Sequence, residues 1–326
     1  MSANAVAAVV VTYNRKQILE QCLSALNTQT FRPSEILVVD NGSTDGTADY
    51  VTRMFPGVRI LRLLENSGPA QAFLEGLKET YNRGHVWFWL MDDDAIPDKN
   101  CLENLVKESD KFKAMVPVVK NPSGSDDVRV VNTVRMIQRN LLRQENPWKL
   151  YQDIVSCYPL LGLLINREVI SRVGYPDPQL FIQGDDIDFT LRISKYYPIK
   201  VVRSATIVHL ATEESMYEYG RFLWYNLCFI SPIYLWKVYY ATRNQVYLAK
   251  RYGSRRAAVW QTLRIIRWGV ADTVKAVISG YQDPKRLQVY IDGLLDGWLG
   301  QLGRNVRYLP GDNETMSEKE SLKSDC

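Results

Sequence analysis

The sequence VAAVVVTYNR, from Val6 to Arg15, joins an unbroken apolar run to a polar end, and a second stretch of this kind, ILVVDNGS, begins at Ile36. Unbroken runs of β-branched residues are typical of parallel strands that are buried on both faces. Between the two runs, apolar residues recur at helical spacing, at Ile18, Leu19, Cys22, Leu23 and Leu26. The N-terminus therefore predicts a βαβ unit.

The alternation of strand and helix continues along the chain. The further predicted elements are a strand over 58–64, a helix over 70–81, a strand over 86–91, a helix over 167–173 and a strand over 199–202. Strands that alternate with helices form a mostly parallel sheet with right-handed crossovers and helices on its faces. The predicted fold class is therefore α/β and Rossmann-like.

The chain of 326 residues has the composition of a globular protein, with 46% hydrophobic and 23% charged residues. We expect a catalytic domain over residues 1–215 and a helical, basic and aromatic region over 216–310. A disordered, acidic tail is expected over 311–326. Within the first domain, the polar and irregular residues 121–153 predict a mobile loop or lid.

Residues 222–240, FLWYNLCFISPIYLWKVYY, form an aromatic run that is too interrupted to span a membrane. The run predicts a pair of helices that lie either in a packed core or at a membrane surface. Residues 237–307 carry 13 Lys and Arg against 4 Asp and Glu. This charge fits anionic lipid headgroups, a diphosphate-linked acceptor, nucleic acid or a merely solvated helix face.

The cysteines and the N-terminus indicate a cellular compartment. The five cysteines are scattered and form no CxxC pair. No basic stretch with an apolar run and a cleavage site precedes the first strand. We therefore expect a protein of the reducing cytoplasm.

Asp92, Asp93 and Asp94 follow a predicted buried strand directly, and adjacent carboxylates repel one another unless a cation offsets their charge. Mg²⁺ and Mn²⁺ prefer oxygen ligands. When one or two carboxylates bind such an ion, diphosphate oxygens and water commonly supply its remaining ligands. The triplet predicts a divalent-metal site, with helix capping as the alternative. Of the two histidines, His209 follows a predicted strand and is a candidate metal ligand, whereas His85 is expected to be structural.

A second acidic cluster, Asp185, Asp186 and Asp188, opens a predicted helix, where the helix dipole stabilises an anion. Asp185 or Asp186 is a candidate general base, because an attacking hydroxyl must lose its proton to a group within hydrogen-bond reach. Asp188 is a candidate for a capping or supporting role.

Polar residues also follow the first two strands, at Thr12–Arg15 and Asp40–Ser43, and ligands of open α/β sheets bind at the carboxyl ends of strands. The small residues of Asn66–Ala70 mark a turn that a ligand can approach closely. The sequence contains no GxGxxG, GxxxxGK[ST] or GxSxG motif, which argues against a Rossmann dehydrogenase, a P-loop enzyme and an α/β-hydrolase.

Seven motifs, in this order and spacing, resemble the family 2 inverting glycosyltransferases of the GT-A fold. They are VVVTYNR, ILVVDNGSTDGT, ENSGPAQAF, WLMDDD, LLGLLINREVISRVG, FIQGDDIDFTLR and VHL. The resemblance covers residues 5–210. Within the family the sequence is most similar to bacterial rhamnosyltransferases and galactofuranosyltransferases that build cell-surface polysaccharides.

The resemblance implies a role for each polar cluster. The residues that would surround the nucleotide sugar are Thr12, Tyr13, Asn14, Arg15, Asp40, Asn41, Asn66, Gly68, Asp92 and Asp93. The residues that would hold Mn²⁺ or Mg²⁺ are Asp92, Asp94 and His209. Asp186 would be the catalytic base, and Asp185 would contact the acceptor.

The implied activity is transfer of a sugar from a donor such as UDP-galactofuranose or dTDP-rhamnose to a glycan or polyprenyl-diphosphate-linked acceptor. Gly184 departs from the family, which often has an aromatic residue there. Arg264, Arg267 and Trp268 resemble the QxxRW motif of processive synthases, but its Gln is absent, so transfer is expected to be non-processive.

The partners implied are the donor and the acceptor, with no nucleic acid. The C-terminal region allows two further partners. They are the inner face of the cell membrane and a second copy of the chain. Two other classes stay open. A sugar nucleotidyltransferase would typically carry a Gly-rich loop near the first strand, and a non-catalytic carbohydrate-binding protein would have little reason to retain both acidic clusters.

Overall fold

The computed structural model describes residues 6–127, 130, 153–210, 217–222, 225–281 and 283–309, with the backbone alone at 217–222 and 225–227. Most of the predicted lid at 121–153 and the predicted tail at 311–326 lie outside these residues. The chain divides into two compact units, one of residues 1–181 with 185–211 and one of residues 182–184 with 212–326.

A sheet of nine strands forms the centre of the first unit. The strands are β1 (Val6–Thr12), β2 (Glu35–Asp40), β3 (Arg59–Arg62), β4 (Trp87–Asp92), β5 (Ala95–Pro97), β6 (Ala114–Lys120), β7 (Ile154–Val155), β8 (Leu163–Asn166) and β9 (Ile199–His209). The helices described in this unit are α1 (Lys16–Asn27), α2 (Thr47–Met54), α3 (Pro69–Asn82), α4 (Cys101–Val106), α5 (Arg167–Val173) and α6 (Asp185–Ser194).

The strand order is β3-β2-β1-β4-β8-β6-β9-β5, and β7 pairs with β9. The first four strands are parallel, as the sequence predicts. Beyond β4 the sheet is mixed, because β8 runs antiparallel to β4 and β6, and β5 and β7 run antiparallel to β9. The sequence did not predict these antiparallel strands, which are two to four residues long and too short for a periodic signal.

The core of the first unit lies on both faces of the central strands. Every residue of β1 is buried, and so are the five apolar residues that begin β4. Helix α3 packs closely on β1 and β2, since a methyl group at Gly76 would lie 2.5 Å from Cγ1 of Val9. This close packing fixes the strand ends that carry the polar clusters.

The second unit begins with an antiparallel hairpin, β10 (Tyr217–Phe222) with β11 (Tyr225–Ile230). A short 3-10 helix, Pro232–Tyr234, leads into α7 (Leu235–Tyr252), α8 (Arg255–Ile278) and α9 (Lys285–Leu299).

The prediction of two helices over residues 222–240 is wrong. The first half of this run pairs as a strand, and a helix begins only after Pro232. Proline has no backbone N–H and its ring clashes with the preceding turn, so a helix cannot run through this position undisturbed. Where its side chains are described, the run is largely buried, as for Phe229 and Tyr240, so it belongs to the core of its unit. Among the residues that the structure describes, no helix combines the length and the apolar character that crossing a membrane requires.

Candidate active site

The carboxyl ends of β1, β2 and β4 meet at one edge of the sheet. In the parallel register, Thr12 is the partner of Asp40, and Val11 is the partner of Asp92. The polar segments that follow these strands are therefore neighbours, as expected for a ligand site in an open α/β sheet.

The loops after β1, β2 and β3 are joined by side-chain hydrogen bonds. Asn14 accepts from the backbone N–H of Thr44 at 2.8 Å. Asn41 donates to Oδ1 of Asn66 at 3.1 Å and accepts from the backbone N–H of Ser67 at 3.0 Å. The predicted nucleotide-binding residues of these loops thus form one continuous surface, on which Tyr13 is half-buried.

Asp40 presents an unsatisfied acceptor at this edge of the sheet. The side chain is 1% exposed, and its Oδ1 atom accepts from the backbone N–H of Ser43 at 2.8 Å. Its Oδ2 atom is buried and has no hydrogen-bond partner, although Nε of Arg62 lies 3.8 Å away. A buried carboxylate oxygen of this kind calls for a donor from water or a ligand.

The three adjacent carboxylates have different surroundings. Asp93 accepts from the hydroxyl of Thr12 at 2.6 Å and lies 3.4 Å from Arg15, which also contacts Asp94 at 3.1 Å. Burial raises the pKa of Asp93 to about 6, although Arg15 opposes the rise. Burial raises the pKa of Asp92 well above its usual range, and the charges of Asp94, Asp93 and Asp185 add to this.

His209 is placed beside the triplet by strand pairing. Ala95 in β5 pairs with His209 in β9, and the backbone N–H of Leu210 donates to the carbonyl of Asp94 at 2.8 Å. Nε2 of His209 lies 3.5 Å from Oδ1 of Asp94. Burial opposes ionisation of Asp94, but His209 and Arg15 outweigh it and hold the pKa of this carboxyl below its usual range.

Asp127 is a residue of this site that the sequence analysis missed. Its backbone N–H donates to the carbonyl of Val119 in β6, the strand beside β9, and its side chain is 2% exposed. Oδ2 of Asp127 lies 3.1 Å from Nδ1 of His209. A carboxylate on Nδ1 favours the tautomer in which Nε2 carries the lone pair and faces Asp94.

Asp94 and His209 fit a divalent cation. Oδ1 of Asp94 is buried and makes no hydrogen bond. Two ligands that share an ion at about 2.1 Å from each lie roughly 3 to 3.5 Å apart, which is the separation of this oxygen from Nε2. Among the described residues, no third His, Cys, Asp or Glu completes a preformed set with them, Asp92 included. Mg²⁺ and Mn²⁺ commonly fill such a shell with substrate oxygens and water.

The second acidic cluster forms the first turn of α6. Asp188, for which a capping or supporting role is predicted, is fully buried and pairs with Nε of Arg192 at 2.9 Å. Burial, with a smaller contribution from the neighbouring charge of Asp186, raises the pKa of Asp185 to about 8. One oxygen of Asp186 accepts from the backbone N–H of Ile187 at 2.7 Å.

The loop that leads into α6 has an unusual backbone. Phe181, Gln183 and Gly184 all have positive φ, of 63°, 67° and 105°. Such strain in non-glycine residues clusters at functional sites. Gly184, which departs from the family's aromatic residue, suits this conformation.

Each part of this loop has contacts within its own unit. A methyl group at Gly68 would lie 2.4 Å from the carbonyl oxygen of Phe181, so the turn after β3 touches the loop directly. Within the second unit, Asn244 donates to the carbonyls of Ile182 at 2.9 Å and Gln183 at 2.8 Å.

Replacing Asp185 with asparagine is expected to raise the midpoint of thermal unfolding at pH 7. The folded chain keeps the proton of this carboxyl to about pH 8, whereas the unfolded chain releases it near pH 3.8, so wild-type stability falls as the pH rises between these values. Asparagine removes this loss, worth at most about 4 kcal/mol at pH 7.

Unfolding midpoints of both proteins from pH 4 to 8 test this expectation. The advantage of Asp185→Asn is expected to grow with pH, and a difference that stays constant over the range would contradict the buried-carboxyl explanation. Asp188→Asn is the matched control: it breaks the pair with Arg192 and is expected to destabilise the chain.

Comparison with known proteins adds to this geometry. The family model described as "Glycosyl transferase family 2" matches residues 7–174. The galactofuranosyltransferase GlfT1 of Mycolicibacterium smegmatis is 27% identical over 271 residues, which are 79% of this chain and 87% of that protein. An N-acetylglucosaminyl-diphospho-decaprenol L-rhamnosyltransferase of Mycobacterium tuberculosis is 26% identical over 228 residues, which are 62% of this chain and 74% of that protein.

Among solved structures, the mannosyltransferase PcManGT from Pyrobaculum calidifontis, in complex with GDP-Man and Mn²⁺, is similar with a TM-score of 0.56. The match covers 91% of this chain and 87% of that protein at 16% identity, so it bears on the fold alone. The predicted α/β fold of GT-A type is confirmed. Because the family model spans more than half of the residues, the chain belongs to glycosyl transferase family 2.

Proposed function

We propose that this glycosyltransferase is an inverting, non-processive enzyme that moves a sugar from a nucleotide-diphosphate donor to a glycan or lipid-linked acceptor. The observation that carries the proposal is the direct contact between the turn after β3 and the loop that leads into α6, where a methyl group at Gly68 would lie 2.4 Å from the carbonyl oxygen of Phe181. This contact brings the predicted nucleotide-binding turn next to the segment that carries Asp185 and Asp186. A donor diphosphate site and an acceptor base must be neighbours in the same way, since the sugar passes between them.

The donor side is formed by the loops after β1, β2 and β3. Their cross-linked side chains offer a rigid surface for a nucleotide, and the free Oδ2 of Asp40 is an acceptor for a ring N–H. Uracil, thymine and guanine have such an N–H in the ring, whereas adenine has none. Arg15, which contacts Asp93 and Asp94, lies at the same edge.

The metal side is formed by Asp94 and His209, which would hold Mn²⁺ or Mg²⁺, with Asp92 toward the ribose or the ion. The ion, when bound, neutralises charge on the leaving diphosphate. Asp127 keeps the ring of His209 oriented toward Asp94.

The acceptor side is formed by the first turn of α6. Asp186 takes the proton of the acceptor hydroxyl while its oxygen attacks the anomeric carbon and the bond to the diphosphate breaks. A single displacement inverts the configuration at that carbon. Asp185, with its pKa near 8, is protonated at neutral pH and can donate a hydrogen bond to an acceptor oxygen.

The identities of donor and acceptor follow the named relatives. A galactofuranosyltransferase and a rhamnosyltransferase that acts on a diphospho-decaprenol-linked sugar favour galactofuranose or rhamnose as the sugar. The second name also favours a polyprenyl-diphosphate-linked acceptor. Transfer at the inner face of the membrane, in cell-wall polysaccharide synthesis, is part of the same proposal.

Thermal unfolding with UDP, dTDP, GDP or ADP tests this function, each with Mn²⁺ and with a chelator. A ligand at 100 times its dissociation constant stabilises the folded state by about 2.7 kcal/mol. We expect UDP or dTDP to raise the midpoint with Mn²⁺, a smaller rise with chelator, and no response to ADP. No shift with any nucleotide would refute the proposal.

A further inference from the structure

Helix α8 exposes most of its large apolar side chains. Its buried face consists of Ala258, Ile265, Gly269, Asp272 and Ala276, of which only Ile265 is a large apolar residue. Six large apolar residues recur every three or four positions and are 45–52% exposed: Val259, Leu263, Ile266, Val270, Val274 and Val277. At this spacing they lie along one face of the helix, which we call the α8 stripe. An ordinary surface helix has the opposite arrangement, so the stripe calls for a partner.

The neighbouring surfaces have the same character. Trp260 and Trp268 on α8 are 70% and 60% exposed. On α9, four residues at every fourth position are also exposed, namely Leu287, Ile291, Leu295 and Leu299. The apolar exposure is therefore a property of both helices and not of a single side chain.

Buried polar contacts fix this orientation of α8. Asp272 accepts from Arg286 at 2.7 Å, from the hydroxyl of Tyr290 at 3.3 Å and from the backbone N–H of Ile230 at 2.7 Å. Gly269 faces the ring of Tyr290 so closely that a methyl group there would lie 2.8 Å from Cγ. Rotating α8 so that the stripe faces inward would break the buried ion pair between Asp272 and Arg286. Breaking a buried ion pair strongly destabilises the folded state.

The charge of α8 has one sign on its exposed surface. The helix carries five cations, Arg255, Arg256, Arg264, Arg267 and Lys275, and all five are exposed. Its single acidic residue is the buried Asp272. By helical spacing, Arg255, Arg256 and Arg267 flank the α8 stripe, and no exposed carboxylate of the same helix balances their charge.

We propose that the α8 stripe docks on an anionic phospholipid surface. Acyl chains take up the apolar side chains, Trp260 at the edge of the stripe suits the interfacial depth, and anionic headgroups pair with Arg255, Arg256 and Arg267. A second copy of the chain fits less well, because two α8 helices would bring their cations together without carboxylates between them. The helix lies on the surface and does not cross the bilayer, since charged residues recur along its length.

The full chain with vesicles of phosphatidylglycerol or of phosphatidylcholine alone tests the proposal in a sedimentation assay. The wild type is expected to sediment with the anionic vesicles and to remain in solution with the neutral ones. The stripe variant Leu263→Gln, Val270→Gln and Val274→Gln is expected to lose about tenfold or more of its affinity for anionic vesicles. The charge variant Arg255→Gln, Arg256→Gln and Arg267→Gln is expected to show a similar loss, and binding by the wild type is expected to weaken in salt.

A matched control replaces exposed apolar residues of the first unit, Met54→Gln and Val86→Gln, and is expected to sediment like the wild type. All proteins are compared for their unfolding midpoint and their response to nucleotide, so loss of vesicle binding is separated from loss of folding or of donor binding. Wild type that stays in solution with anionic vesicles overturns the proposal. So does a dimer in analytical ultracentrifugation that the stripe variant dissociates without any change in vesicle binding.

Discussion

Asp186→Asn is expected to reduce sugar transfer by about 10²- to 10⁴-fold while leaving nucleotide affinity unchanged. Asparagine has nearly the shape of aspartate and can still accept from the backbone N–H of Ile187, so the first turn of α6 is retained. It cannot take the proton of the acceptor hydroxyl. The loss therefore falls on kcat and not on donor binding.

Initial rates and calorimetric nucleotide affinities measured on one preparation separate the two effects. Asp110→Asn, an exposed carboxylate of the first unit, is the control and is expected to keep the wild-type rate. If Asp186→Asn turns over normally, the base is a different group, and Asp185 is the first alternative to examine by the same substitution.

His209→Ala is expected to remove most of the dependence of nucleotide binding on Mn²⁺ and to lower transfer by a factor of about 10² or more. The remaining carboxylates would hold the ion with one ligand fewer. Asp127→Asn removes only the charged partner of Nδ1, so a smaller loss of about 10- to 100-fold in metal affinity is expected.

The chain offers a matched control in its second histidine. His85 pairs with Glu35 at 2.7 Å, and His85→Ala is expected to keep the wild-type response to Mn²⁺. Mn²⁺ affinity is measured directly by electron paramagnetic resonance of the free ion. Equal Mn²⁺ affinity of wild type and His209→Ala would rule out this histidine as a ligand.

The parallel half of the fold is predictable from the sequence because its strands are buried on both faces. β1 and β4 are continuous apolar runs, and a run of this kind is visible without knowledge of its neighbours. β7 and β8 have two and four residues, and their direction depends on partners from distant parts of the chain. Pattern alone contains no information on that direction.

The candidate site likewise has a part that is predictable from the sequence and a part that is not. The polar ends of β1, β2 and β4 are predicted as neighbours, and their register in the sheet makes them so. Asp127 belongs to no motif, and its relation to His209 exists only because β6 and β9 pair. The face that α8 exposes is equally hidden, because amphipathic spacing defines a face but does not say whether that face points inward.

The pairing of β5 with β9 also bears on how the chain folds during synthesis. Asp94 immediately precedes β5, and His209 ends β9, so the two candidate metal ligands meet only after the last strand of the sheet has joined it. Contacts between such distant segments form late, because the intervening chain must first be ordered. The βαβ units near the N-terminus can assemble earlier on the ribosome, but they hold only one of the two ligands. Acquisition of Mn²⁺ affinity would therefore mark completion of the first unit. The time at which Mn²⁺ binding appears during refolding would report when β9 joins the sheet.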